Sequence, residues 1–334
     1  MDHHQVSIEE VARVVYGMGS EAFSKLAGQL PKVGVKFGWQ TLGHFELFLN
    51  QLNPEEREAV IRGDRKLTTE EVIRLLIDQN GRGIPAHLGI KSDAKDENAI
   101  FTIKQLTNNY GEIRDSYVEA FADFPELKFL SASEFEDRSE KKKEMLLADG
   151  LISNLVRRAH MPIPTPYFVV NDYGKGKALQ EIFLAVLEKM YKKHFPDRNF
   201  ENYNVELKKK VRIIKNTGYD KFIAMMASGP DAVWYFPRAL QGFSINAERE
   251  AMKILIGRSL ALSGAISTSL AITGNVVEMV GSFNTPGYDC AAVSWGSSDY
   301  SLYFEADDDR LGFSSAGSLG RANGDFSAGL VFLG

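Results

Sequence analysis

Met161-Pro162-Ile163-Pro164-Thr165-Pro166, followed by Tyr167-Phe168-Val169-Val170-Asn171-Asp172 and Tyr173-Gly174-Lys175-Gly176-Lys177-Ala178, is the stretch on which the reading of this chain turns. Prolines at three alternate positions remove three backbone donors and push the residues before them out of the α region, so no helix crosses here. The apolar, β-branched run after them predicts a buried strand, and the Gly-Lys-Gly-Lys turn predicts entry into a helix. The chain before this stretch is helical in pattern, and the chain after it is mixed and then strand-rich. The expected class is therefore α+β, with a helical domain over residues 1–160 and an α+β domain over 161–334 that ends in an antiparallel β-meander from about residue 264.

Upstream, helix starts are announced by their chemistry. Ser7-Ile8-Glu9-Glu10 has the form of a capping box, and Asn53-Pro54-Glu55-Glu56 sets a capping side chain before a fixed φ and first-turn acids. Thr68-Thr69-Glu70-Glu71 repeats the device, as does Ser133-Glu134-Phe135-Glu136. Apolar residues three and four apart over residues 37–52 and 99–121 predict further helices. The loop at 80–95, with Gly81-Arg82-Gly83-Ile84-Pro85 and then a charged run, reads as exposed.

Downstream, residues 179–191 predict an amphipathic helix ending in Lys192, Lys193 and His194, which suit a helix C-terminus. Residues 211–214 and 232–236 predict short strands, while 219–227 and 246–262 predict helices. Beyond them, 276–280, 290–295, 300–304, 310–314 and 326–333 predict five strands separated by turns such as Asn284-Thr285-Pro286-Gly287 and Asp307-Asp308-Asp309.

Composition narrows the function. The chain has 334 residues, 44% of them hydrophobic, and a formal net charge of −5, which argues against a broadly basic nucleic-acid-coating surface. No window of about eighteen apolar residues and no secretory signal is present, so the expected setting is cytoplasmic, or within an assembled particle, without a membrane partner. The single cysteine, Cys290, forbids an internal disulfide and reads as a buried strand thiol. Charge is segregated: residues 175–221 hold 12 Lys+Arg against 6 Asp+Glu, and residues 276–334 hold 2 against 8. The middle and the end of the chain are thus complementary, within one molecule or between neighbours.

Candidate sites follow from residue type. Gly174, Lys175, Gly176 and Lys177 lie where a strand-turn-helix over 167–182 would aim free amides and positive charge at a phosphate or nucleotide. The spacing is neither that of the phosphate loop nor that of the dinucleotide fold, and a plain turn with solvated lysines is the simpler reading. Arg157, Arg158, Lys192, Lys193, Lys208, Lys209 and Lys210 could line a groove for RNA, single-stranded DNA or a protein partner. Asp307, Asp308 and Asp309 supply oxygens for a hard cation but lack calcium-loop spacing, so a solvated hairpin tip is expected. His160 reads as a surface or capping residue. No catalytic motif, cofactor motif or metal-ligand spacing stands out, and enzyme status is left open with the balance against it. The leading expectation is a structural, self-assembling homo-oligomer, a coat-, shell- or scaffold-like subunit joined through 175–221 and 276–334. A phosphate- or nucleotide-binding protein and a nucleic-acid-binding protein are the alternatives.

Overall fold

A computed structural model describes residues 75–96, 101, 103–169, 175–204 and 206–334. The chain divides into two compact units, Met1–Leu75 and Leu76–Gly334. The helix starts predicted at Ser7, Asn53 and Thr68 and the helix at 37–52 lie outside the described residues, as do positions 170–174.

In chain order the second unit begins with helices α1 (Tyr110–Ala120) and α2 (Ala132–Ala148), a 3-10 turn (Ser153–Arg157) and strand β1 (Met161–Thr165). A continuous helix follows as α3 (Lys175–Ala178), a π segment (Leu179–Phe183) and α4 (Leu184–His194). Next come β2 (Asn199–Asn202), β3 (Val211–Ile213), α5 (Tyr219–Ser228), β4 (Asp231–Phe236), α6 (Ile245–Leu255), β5 (Leu260–Leu262), α7 (Ala265–Gly274) and α8 (Val276–Val280). The last part holds β6 (Gly287–Cys290), β7 (Val293–Trp295), β8 (Ser301–Ala306), β9 (Arg310–Ala316), β10 (Phe326–Ala328) and β11 (Leu330–Phe332). The α+β class holds.

Local chemistry sets several boundaries. α2 starts two residues before the predicted point: Ser131 Oγ accepts from the Glu134 amide at 3.3 Å and Glu134 Oε2 accepts from the Ser131 amide at 3.0 Å. Ser133 and Glu136 have the same Ser-x-x-Glu spacing, and the chain uses the earlier pair. The strand of the opening stretch is the proline segment itself, not the apolar run after it. β1 pairs only with β4, antiparallel, at the edge of a sheet ordered β1-β4-β11-β5. An edge strand needs ladder donors on one side only, so prolines two apart can sit with their missing N–H groups turned outward. All five residues of β1 are buried, whereas Tyr167 and Val169 are exposed.

A second sheet runs β10-β6-β8-β9-β2, and β3 pairs with β7. β6, β8 and β9 are antiparallel, while the edges β10 and β2 run parallel to their neighbours. Two predicted strands each divide: 290–295 breaks at Ala291-Ala292 into β6 and β7, and 326–333 breaks at Gly329, so that β11 enters the four-stranded sheet. Residues 276–280 form α8 rather than a strand. Val276, Met279 and Val280 are buried at helical spacing, and packing overrides the β preference of valine.

The core centres on α7, whose residues 265–273 are all buried. Tyr219 Oη accepts from the amides of Ile266 and Ser267 at the start of α7, at 3.1 and 3.4 Å, and Tyr117 Oη donates to the Leu270 carbonyl at 2.7 Å. One apolar cluster joins Leu127, Leu146 and Leu155 to Trp234, Phe236 and Phe332, so the change of character near residue 160 falls inside this unit. No described helix is long and apolar enough to cross a membrane.

Candidate functional site

The site grows from charged residues in positions that packing reserves for apolar ones. α6 is capped by Ser244, which accepts from the Ala247 amide at 3.2 Å, and it buries Ile245, Met252 and Leu255. Glu248 occupies the same buried face and is wholly inaccessible. Its Oε1 accepts from the Ala328 amide at 2.8 Å, while Oε2 meets no partner among the described residues. The next residue, Arg249, donates from Nε to the Ala291 carbonyl at 3.0 Å and carries a buried, unpartnered Nη2.

Asp289 lies on β6, in register with Ala328 of β10 and Tyr303 of β8. Side chains alternate across a strand, so Asp289 and Tyr303 share one face of the sheet, and Tyr288, Cys290, Leu302 and Phe304 pack the other. Asp289 is only 5% exposed, and among the described residues nothing hydrogen-bonds its carboxyl. Burial pushes that carboxyl up to about 7; the Arg249 guanidinium opposes the rise and Glu305 adds to it. Burial, then the nearby Asp289 charge, holds Glu248 well above the usual carboxylate range. Burial also lowers Arg249, against the pull of both acids. An anionic Glu248 with an unpartnered buried oxygen would be costly, so Glu248 is the member of the pair that keeps its proton at neutral pH.

Asp289 faces a cleft of about 430 Å³. Phe243 and Ile245 are buried in its wall, Tyr303 and Phe326 meet edge to face at 5.5 Å, and Lys95, Arg321 and Asn323 stand exposed at its mouth. The wall around Lys95 and Phe243 is built by the segment that the sequence predicts to be exposed. Arg82 is buried there because it donates to the Gln241 carbonyl at 2.7 Å and to the Lys95 carbonyl, and its guanidinium lies 5.1 Å over the Phe243 ring. Gly242 sits at φ +81°, where a Cβ would fall 2.5 Å from the Lys95 carbonyl oxygen. The opposite wall is tied on by Asp93, which accepts from the Ala322 amide at 3.0 Å, and by Gln241, which donates to the Gly324 carbonyl at 3.0 Å.

The residues singled out from the sequence lie elsewhere. Gly174 is outside the described residues. Gly176 packs against a backbone: a Cβ there would come within 1.9 Å of the Leu207 carbonyl oxygen, so this glycine serves close approach of α3 to the 207–209 turn. That contact brings Lys175 and Lys177 beside Lys208, Lys209 and Lys210, with Lys177 paired to Glu181 at 3.6 Å and Lys210 to Glu206 at 3.4 Å. Lys192 and Lys193 bind Glu188 and Glu119, each at 2.7 Å. Arg157 and Arg158 end the 3-10 turn, where the Arg158 carbonyl accepts from His160 at 2.7 Å. His160 is buried between Trp234 and Phe236, not at the surface, and burial lowers its pKa. Asp307 is held by Arg310 at 2.8 Å at the β8–β9 tip, beside Asp308 and Asp309, and the described residues contain no cluster of three or more metal-ligating side chains. Cys290 is a fully buried thiol, pushed up by that burial.

The basic and acidic segments meet within the chain. β2 pairs with β9 and β3 with β7; Arg310 reaches Glu201 at 3.8 Å, and Lys210 lies 5.1 Å over Trp295. Compared with known protein families, curated proteins and solved structures, the chain matches none. Asp289, Glu248, Lys95 and Arg321 carry no spacing motif, yet two of them left a trace. Asp289 interrupts the run Tyr288-Asp289-Cys290-Ala291-Ala292-Val293, and Glu248 falls on the apolar spacing of α6.

Proposed function

We propose that the Leu76–Gly334 unit processes a small molecule by general acid–base chemistry in this cleft, with Asp289 taking up and releasing the proton. The observation that carries the reading is a buried carboxyl with no hydrogen-bond partner among the described residues, facing a cavity of small-molecule size; burial pushes it up to about 7. A group with that pKa is populated in both protonation states at neutral pH, which is what proton transfer requires. Glu248 and Arg249 act behind it as positioning residues that set its charge. Charge segregation gives weaker support to assembly between copies, because β2–β9 and β3–β7 already join the two segments inside one chain.

The test is a carboxyl-carbon NMR titration of aspartate-labelled protein together with a melting-temperature screen of small metabolites. We expect a resonance titrating near 7 that is missing in Asp289→Asn, and ligands whose stabilisation of the wild type is lost in that variant. A resonance assigned to Asp289 that titrates near 4 rules out the proton-transfer role.

A further inference from the structure

The two ends of the cleft differ in charge. At its floor, Asp289 faces Glu248 and Arg249 from α6 and Tyr303 and Glu305 from β8, and Asp325 adds negative charge beside Glu305. At its mouth stand two cations, Lys95 and Arg321, that come from opposite ends of the unit. Both are exposed, and neither makes an ion pair or side-chain hydrogen bond among the described residues. Among the described residues Lys177, Lys189, Lys192 and Lys193 have carboxylate partners while exposed lysines such as Lys141 and Lys221 do not, so what sets Lys95 and Arg321 apart is that both line one cavity. Two like charges directed at one cavity repel each other and gain nothing in the free chain. Their placement makes sense with an anion between them, and arginine offers the forked donor geometry that fits carboxylate and phosphate oxygens. The rings of Phe243 and Phe326 also line the cleft, and they suit an unsaturated or aromatic body.

We propose that the substrate is a small organic acid. Its carboxylate or phosphate is held by Lys95 and Arg321 at the mouth, its planar body rests against Phe243 and Phe326, and its reacting end meets Asp289. This rests on the acid–base reading of the cleft, and it adds the polarity of the ligand and its direction in the site. An anion in the cleft favours the neutral form of Asp289, so binding weakens as pH rises. Because Asp289 titrates at about 7, its neutral fraction falls about tenfold between pH 6 and pH 8.

Calorimetric titration of the full chain tests this with four matched probes: benzoate, phenyl phosphate, benzyl alcohol and benzylamine. The proteins are wild type, the double variant Lys95→Ala/Arg321→Ala, and Asp289→Asn. Both rim side chains are exposed and make no ion pair among the described residues, so the double variant is expected to fold, which its melting curve checks. The expected result is that an anion binds at least tenfold more tightly than the alcohol or the amine, and that the double variant loses at least tenfold of that affinity. Benzoate keeps a constant charge from pH 6 to pH 8, and its binding should weaken severalfold over that range in the wild type but not in Asp289→Asn. The tighter of benzoate and phenyl phosphate identifies the anchoring group. Equal binding of alcohol, amine and anions, anion affinity unchanged in the double variant, or no binding of any probe overturns the organic-acid inference. Anion binding that depends on the rim cations yet is equally pH-independent in wild type and Asp289→Asn upholds the inference and overturns the acid–base reading.

Discussion

Replacing Asp289 by asparagine removes one ionisable proton site while nearly preserving shape, and its effect on stability has a sign fixed by the structure. In the unfolded chain an aspartyl carboxyl titrates at about 3.9. In the folded chain Asp289 titrates at about 7, raised first by burial. The folded state therefore holds this proton more tightly than the unfolded state does. Its contribution to stability is whole below about pH 4, declines as pH rises from there to about 7, and above 7 is replaced by the full cost of a buried charge. A separation of about three pH decades at about 1.4 kcal/mol each gives a cost on the order of 4 kcal/mol above pH 7. Asparagine carries no such cost. Urea unfolding followed by tryptophan fluorescence, on wild type and Asp289→Asn at pH 5 and pH 8.5, isolates it as a difference of differences. About 1.5 kcal/mol of that cost is already present at pH 5, so relative to wild type the variant should gain on the order of 2.5 to 3 kcal/mol between the two pH values. Glu248 remains in both proteins, and because the Asp289 charge that raises it is absent from the variant, any change in its titration adds to the variant's gain. If wild type and variant change in parallel, to within about 0.5 kcal/mol, Asp289 is not a raised carboxyl and the cleft loses its proton-transferring group.

Other perturbations probe the supports of the site. Glu248→Gln keeps the acceptor for the Ala328 amide and should leave stability at pH 7 unchanged or raised, whereas Glu248→Leu leaves that amide unpaired and should cost about 1–3 kcal/mol by urea unfolding. Arg82→Ala strips the donor from the Gln241 and Lys95 carbonyls and the cation from Phe243, so it should cost about 2–4 kcal/mol and weaken any ligand that stabilises the wild type in the melting assay. Gly176→Ala sets a methyl group 1.9 Å from the Leu207 carbonyl oxygen and should lower stability by more than about 2 kcal/mol, with cleft ligands still bound at their wild-type affinity once the variant is folded.

How much was legible in advance differs by feature. Helix starts are set by short-range chemistry, but Ser131 with Glu134 and Ser133 with Glu136 have the same spacing, so the helix start is legible in the sequence only to within two residues. The prolines mark a point no helix crosses, but their tolerance in β1 depends on that strand lying at a sheet edge, which the sequence does not state. Buried spacing in 276–280 is helical, while its valines favour a strand, and only contact with the core settles which wins. The glycine of the Gly-Lys-Gly-Lys turn looks like a phosphate cradle in one dimension and is a backbone contact in three.

The sequence by itself determined the α+β class, the main run of helices and strands, and the inert burial of Cys290, because these follow from periodicity and from groups a few residues apart. Tertiary structure alone decided the cleft. Lys95, Glu248, Asp289 and Arg321 come from separate segments and share no spacing, and their chemistry arises only where β6, α6, the Arg82 loop and the turn after β9 converge. A carboxyl acquires a pKa of about 7 from the water it loses and the charges it meets, and both are properties of packing rather than of neighbours in the chain.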